Sequence, residues 1–144
     1  VTGIPPAIRR RQRPEEAFQA VVCRYLEWAL AGNSMFFSVP NGGIRSRTEA
    51  IRFKATGTIP GIPDLFVIND GRLLGLELKS GKGRLSPTQV ACHDRLRAAR
   101  CPVYICRDLD DVQAALRSAG VPLRAVSITT ERIRRGFAAG MGAP

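Results

Sequence analysis

The chain has 144 residues, with 22 lysines and arginines against 12 acids and a formal charge of +10. That length suits one domain able to bury about two-thirds of its unfolded surface. The lack of an apolar run of about 18 residues or of a signal-peptide pattern predicts a soluble, cytoplasmic protein with no membrane partner. Cys23, Cys92, Cys101 and Cys106 form no C-x-x-C pair, and His93 is the single histidine. These counts argue against a structural zinc site, a disulfide framework or a two-histidine mechanism, and His93 reads as an ordinary residue on a half-exposed helix.

The charge is unevenly placed. Residues 1–13 hold four arginines and no acid, and residues 124–144 hold Arg124, Arg132, Arg134 and Arg135 against Glu131, so the two ends carry +7 of the +10. A body at 14–123 is therefore only mildly basic, and the ends read as basic arms able to add phosphate contacts.

In chain order, Pro14-Glu15-Glu16 puts proline and two acids in a first helical turn. Phe18, Val22, Tyr25, Leu26 and Ala29 follow at helical spacing, which predicts a helix over 14–31. Glu15 and Gln19 share a face beside that apolar stripe. Met35 to Val39 reads as a strand, ended by Pro40-Asn41-Gly42-Gly43. Thr48 is placed to cap a short helix through Ala55, which carries Arg52 and Lys54. Leu65 to Ile68 and Arg72 to Lys79 are β-favouring runs joined by the tight-turn pair Asp70-Gly71, which predicts a hairpin. After Ser80-Gly81-Lys82-Gly83-Arg84, Ser86 is a cap and Pro87 the first residue of a helix to Ala99. Val103 to Cys106 is a strand, and Asp108 caps a helix from Leu109 to Ala119, stopped by Gly120-Val121-Pro122. Residues 131–139 are open to a short helix or to none. The runs at 65–68 and 103–106, apolar throughout, predict strands covered on both faces, and Trp28, Phe36, Phe53 and Phe66 read as core.

The chemistry concentrates at the hairpin. Asp64 opens its first strand, and Glu77 and Lys79 close the antiparallel neighbour. Alternation along the strand sets Glu77 and Lys79 on one face and Leu76 and Leu78 in the core. Pro60, Gly61 and Pro63 shape the approach. Two carboxylates and an amine thus converge at one sheet end, and oxygen ligands with few nitrogens or thiolates suit Mg²⁺ or Mn²⁺. Such an ion stabilises charge on a scissile phosphate and lowers the pKa of a bound water, which Lys79 would orient or help deprotonate. The competing reading is a solvated hairpin with charges on its open face, because Glu-x-Lys alone is a common tripeptide. Asn41, the cluster Arg45, Arg47, Arg52 and Lys54, and the pair Lys82 and Arg84 beside the hairpin are candidate nucleic-acid contacts.

With Glu15, Asp64, Glu77-Leu78-Lys79 and Gln89 placed, the chain resembles the PD-(D/E)xK nuclease superfamily and, within it, the VRR-NUC family in its small stand-alone form of phages and bacteria. The resemblance spans roughly residues 14 to 123. It is carried by Glu15 to Gln19, Pro40-Asn41-Gly42-Gly43, Gly61-Ile62-Pro63-Asp64, Glu77-Leu78-Lys79 and Gly83-Arg84-Leu85-Ser86-Pro87-Thr88-Gln89. The family's valine-arginine-arginine tripeptide is not literally present. The resemblance implies an α/β, restriction-endonuclease-like fold, a mixed central sheet with helices on both sides. It implies Asp64 and Glu77 as metal ligands with the carbonyl of Leu78, and Lys79 positioning the water. Glu15, with Glu16 as the alternative, would support the metal through water, and Gln89 would be the polar residue on the following helix. The activity implied is a Mg²⁺- or Mn²⁺-dependent endonuclease, a deoxyribonuclease selecting branched, flap or junction DNA by shape. It would act as a homodimer in the cytoplasm of a bacterial or phage-infected cell. Two rivals stand beside it: a non-catalytic nucleic-acid-binding subunit of a phage-like packaging or recombination assembly, and an RNA-directed nuclease.

Overall fold

Apart from the β2–β3 hairpin, helices and strands alternate as the sequence periodicities require: α1 (Pro14–Ala29), β1 (Ser34–Ser38), α2 (Arg47–Ala55), β2 (Leu65–Asn69), β3 (Arg72–Leu78), α3 (Pro87–Ala98), β4 (Val103–Cys106) and α4 (Leu109–Ser118). The structure, a computed structural model, describes residues 14–40 and 46–124. Asn41, Arg45, both basic arms apart from Arg124, and the helix considered at 131–139 lie outside the described residues.

The strands form one mixed sheet in the order β1-β2-β3-β4, antiparallel except for the parallel β3–β4 pair. Asp70 and Gly71 both take positive φ, 49° and 71°, which makes the two-residue turn whose twist matches a hairpin. That turn sets the β2–β3 register from Asn69↔Arg72 to Leu65↔Leu76. One sheet face carries Leu65, Val67, Leu74, Leu76, Leu78 and Cys106 against Val22, Tyr25 and Leu26 of α1 and Val112, Ala115 and Leu116 of α4. This is the apolar core. The opposite face holds Phe66, Gly75 and Glu77 and is covered by α3, which buries Cys92 and His93. Helices therefore flank the sheet on both sides.

Several local readings shift. α1 ends at Ala29 because Leu30 leaves the helix to bridge Leu123, and the Arg124 amide donates to the Ala29 carbonyl. β1 starts at Ser34, whose hydroxyl accepts from Asn69 Nδ2 at 2.8 Å. Ser46, not Thr48, caps α2, in a capping box with Glu49. Phe53 is not core, since α2 has no buried residue. Phe66 is buried, and Trp28 and Phe36 pack partly buried against the core. β4 is not covered on both faces: it is an edge strand, and α3 leaves Ile105 40% exposed.

Candidate active site

Continuing the β2–β3 register one step beyond Leu65↔Leu76 sets Asp64 opposite Glu77. Asp64 Oδ2 accepts the Leu78 amide at 2.8 Å, which ties the loop end of β2 to the last residue of β3. The amides of Gly75 and Lys79 donate to Pro102 and Cys106 on the β4 side. Backbone groups alternate along a strand, so both the amide and the carbonyl of Leu78 face the Asp64 side, where β2 has ended.

Two close approaches bring α3 onto this end. Gly61 has φ +78°, and a Cβ there would lie 2.5 Å from the Thr88 carbonyl oxygen, so only glycine lets the 60–64 loop press on the first turn of α3. Pro63 is fully buried and sits on Gly75, where a Cβ would be 2.9 Å from Pro63 Cγ. The α3 start is itself fixed by Ser86, Pro87 and Gln89: Ser86 Oγ accepts from the Gln89 amide, and Gln89 Oε1 accepts from the Ser86 amide at 2.9 Å. Gln89 then has its Nε2 left to donate, and it reaches Glu77 Oε1 at 2.7 Å.

Lys79 Nζ lies 3.1 Å from the same Glu77 Oε1. Glu77 is 1% exposed and Lys79 8%, so the face that the solvated-hairpin reading leaves open is closed. Gly83 lies over this corner: a Cβ there would be 3.5 Å from Lys79 Cδ and 3.7 Å from Glu15 Oε1. Glu15, exposed in the first turn of α1, is thus the first-helix acid beside the pair, and its charge is felt by both Asp64 and Glu77. Burial above all, with the charge of Asp64 added, pushes Glu77 up to about 7, against the opposing pull of Lys79. Burial also raises Asp64, opposed by the Leu78 amide and Lys79. Among the described residues no three His, Cys, Asp or Glu side chains close on one point as a metal cage. The oxygen donors are two carboxylates and a main-chain carbonyl.

Asp64, Glu77, Leu78, Lys79 and Gln89 are therefore together, with Glu15 at their edge. Lys82 and Arg84 are exposed on the loop that follows Lys79. Arg107 Nη1 donates to the Gly81 carbonyl at 2.9 Å and pins that loop. Arg47, Arg52 and Lys54 stand on the exposed α2, with the Arg52 guanidinium 5.7 Å over the Phe53 ring. The helix is half-exposed as expected, but the reading of His93 as an ordinary residue on it is corrected. His93 is 0% exposed, with Nε2 3.5 Å from Glu77 Oε2. The signal was its place four residues after Gln89, on the same helical face. Arg107 carried no comparable signal.

A family model for the VRR-NUC domain matches residues 4–108, most of the chain. The chain belongs to the VRR-NUC domain family. It is thus a nuclease-type domain, and the matched span runs from before α1 to Asp108, the cap of α4, taking in every residue of the Asp64–Glu77 corner. Among solved structures, this VRR-NUC chain is similar in fold to one titled "VRR_NUC domain protein", with a TM-score of 0.59 and 21% identity over 80% of this chain and 96% of that one. No curated protein matches it.

Proposed function

We propose that this VRR-NUC domain is a divalent-metal-dependent endonuclease that hydrolyses DNA phosphodiesters and selects branched, flap or junction DNA. The observation that carries the reading is the convergence of half-buried Asp64 with buried Glu77 and Lys79 on one sheet end, with both carboxylates pushed upward. Beyond burial, Asp64 and Glu15 raise Glu77 and Glu15 raises Asp64, a repulsion that a cation would relieve. Asp64, Glu77 and the Leu78 carbonyl offer the oxygen donors that Mg²⁺ or Mn²⁺ takes, leaving the rest of its shell to water and substrate phosphate. Glu15, farther out, would act through water. When bound, the ion would stabilise charge on the scissile phosphate and lower the pKa of a water.

The remaining work falls to the side chains. Lys79, braced on Glu77, is a cation beside the point of attack, where it orients the water or takes its proton. Gln89 holds Glu77 Oε1 in place. Lys82 and Arg84 on the adjoining loop, Arg47, Arg52 and Lys54 on α2, and Asn41, Arg45 and the two basic arms would contact phosphates; each neutralised phosphate steepens the salt dependence of binding by about 0.9 in log-log slope. A homodimer presenting two sites would suit a junction. In support, β1 is an edge strand whose Met35 and Phe37 are exposed, and Ile51 of α2 is exposed as well. Among the described residues no helix is long and apolar enough to cross a membrane.

A panel of labelled duplex, flap, junction and RNA substrates with Mg²⁺, Mn²⁺ or EDTA tests the reading, alongside light scattering for the dimer. Cleavage of branched DNA that needs the metal is the expected result. Cleavage in EDTA, or binding of every substrate without cleavage of any, would overturn it.

A further inference from the structure

We propose that His93 is a positioning residue for Glu77, holding the carboxylate oxygen that Gln89 and Lys79 do not. The inference rests on the reading of Glu77 as a metal ligand, and adds a residue that the Glu-x-Lys motif does not contain. Gln89 and His93 lie one helical turn apart on α3 and leave it on the face packed against β3. Gln89 Nε2 donates to Oε1 of Glu77 at 2.7 Å, and His93 Nε2 lies 3.5 Å from Oε2. The ring is 0% exposed and the carboxylate 1%. Glu77 Oε2 and both ring nitrogens have no hydrogen-bond partner among the described residues.

Buried polar atoms are almost always paired, and here an unpaired nitrogen and an unpaired oxygen face each other across a small gap. In its neutral form the imidazole carries a single N–H. A slight closure of α3 on β3 turns that N–H into a donor to Oε2, leaving Nδ1 as the acceptor. Two residues of one helix then grip both oxygens of Glu77 and fix the plane of its carboxylate. The orientation offered to a cation becomes a property of α3. Partners that orient a metal ligand are worth about 10- to 100-fold in metal affinity.

The test uses the full chain and Mn²⁺ alone, titrated calorimetrically, then DNA cleavage as a function of Mn²⁺. His93→Leu keeps the volume but cannot hold Oε2, and should weaken Mn²⁺ binding by about tenfold or more. His93→Gln, whose amide reaches the position of Nε2, should recover most of that loss. The Mn²⁺ concentration for half-maximal cleavage should rise more than the saturated rate falls. If His93→Leu does not fold, His93→Asn, too short to reach Oε2, should bind Mn²⁺ more weakly than His93→Gln. Wild-type Mn²⁺ affinity in His93→Leu, or equal affinity in the Asn and Gln variants, would overturn the inference. Glu77→Gln separates the two levels. If it binds Mn²⁺ like the wild type, the ligand reading fails and this inference with it; if it loses binding while His93→Leu keeps it, only the role of His93 fails.

Discussion

α2 and α3 begin with the same local device and end in different places. Each opens with a serine whose hydroxyl accepts the amide three residues on, while the side chain there returns to the serine amide: Ser46 with Glu49, and Ser86 with Gln89. α2 nevertheless buries nothing and leaves Ile51 63% exposed, whereas α3 buries Cys92 and His93 against the sheet. A capping box decides where a helix starts. Whether the third residue reaches anything else depends on which backbone approaches it, and only α3 has Gly61 against its first turn. Gln89 can serve the cap through Oε1 and Glu77 through Nε2. A glutamate, as in α2, would have no hydrogen to give.

The largest effect should come where α3 closes on the hairpin. Lys79→Ala should lower the single-turnover cleavage rate by about 10²- to 10⁴-fold while Mn²⁺ and DNA binding persist. Asp64→Asn should lose Mn²⁺ binding along with cleavage. Calorimetry and gel assays check both, and brisk cleavage by Lys79→Ala would remove chemistry from the α3 side of the contrast.

A pair of glycines tests the contrast next. Gly57, with φ +93° just after α2, has nothing within 4 Å of an added Cβ, whereas Gly61 has the Thr88 carbonyl oxygen at 2.5 Å. Gly57→Ala should cost about 1–2 kcal/mol of backbone strain. Gly61→Ala adds overpacking of about 1–3 kcal/mol to a similar strain and pushes α3 off the site. Urea unfolding should rank them so, with cleavage lost only in Gly61→Ala.

Exchanging the third residues is a smaller perturbation. Gln89→Glu keeps the cap but sets another carboxylate against Glu77, and should cut cleavage at neutral pH by about 10- to 100-fold. Glu49→Gln should leave both cleavage and melting temperature nearly unchanged. Equal effects from the two would mean that the boxes act only as caps.

A further test is a pH dependence. Glu77 is raised from 4.5 to about 7, so the folded chain holds a proton that the unfolded chain releases. The stability this contributes is full below the unfolded pKa and is lost as pH rises through the folded one. In EDTA, the wild type should therefore lose stability relative to Glu77→Gln between about pH 4.5 and 7, the window spanned by the two pKa values. A parallel course for the two proteins in urea titrations would count against a proton held by Glu77.

Much of the molecule was readable as sequence because local rules decide it. Asp70-Gly71 admits few turns, and that turn fixes a register that carries Asp64 to Glu77. Ser86-Pro87 and Asp108 start α3 and α4 at the expected residues, since a cap needs only its own neighbours. The box at Ser46 and Glu49 is equally local, yet the sequence reading places the cap at Thr48. Family membership followed from ordered motifs of the same kind. Tertiary structure alone decided that β4 is an edge, that Phe53 stays out of the core, and that Glu77, Lys79 and His93 are enclosed together. Those outcomes depend on which helix lies over which strand, a matter of close approach at Gly61 and Gly75 that no spacing along the chain encodes. A charged strand residue looks solvated until a helix covers it, and a lone histidine looks ordinary until its burial sets it against a carboxylate.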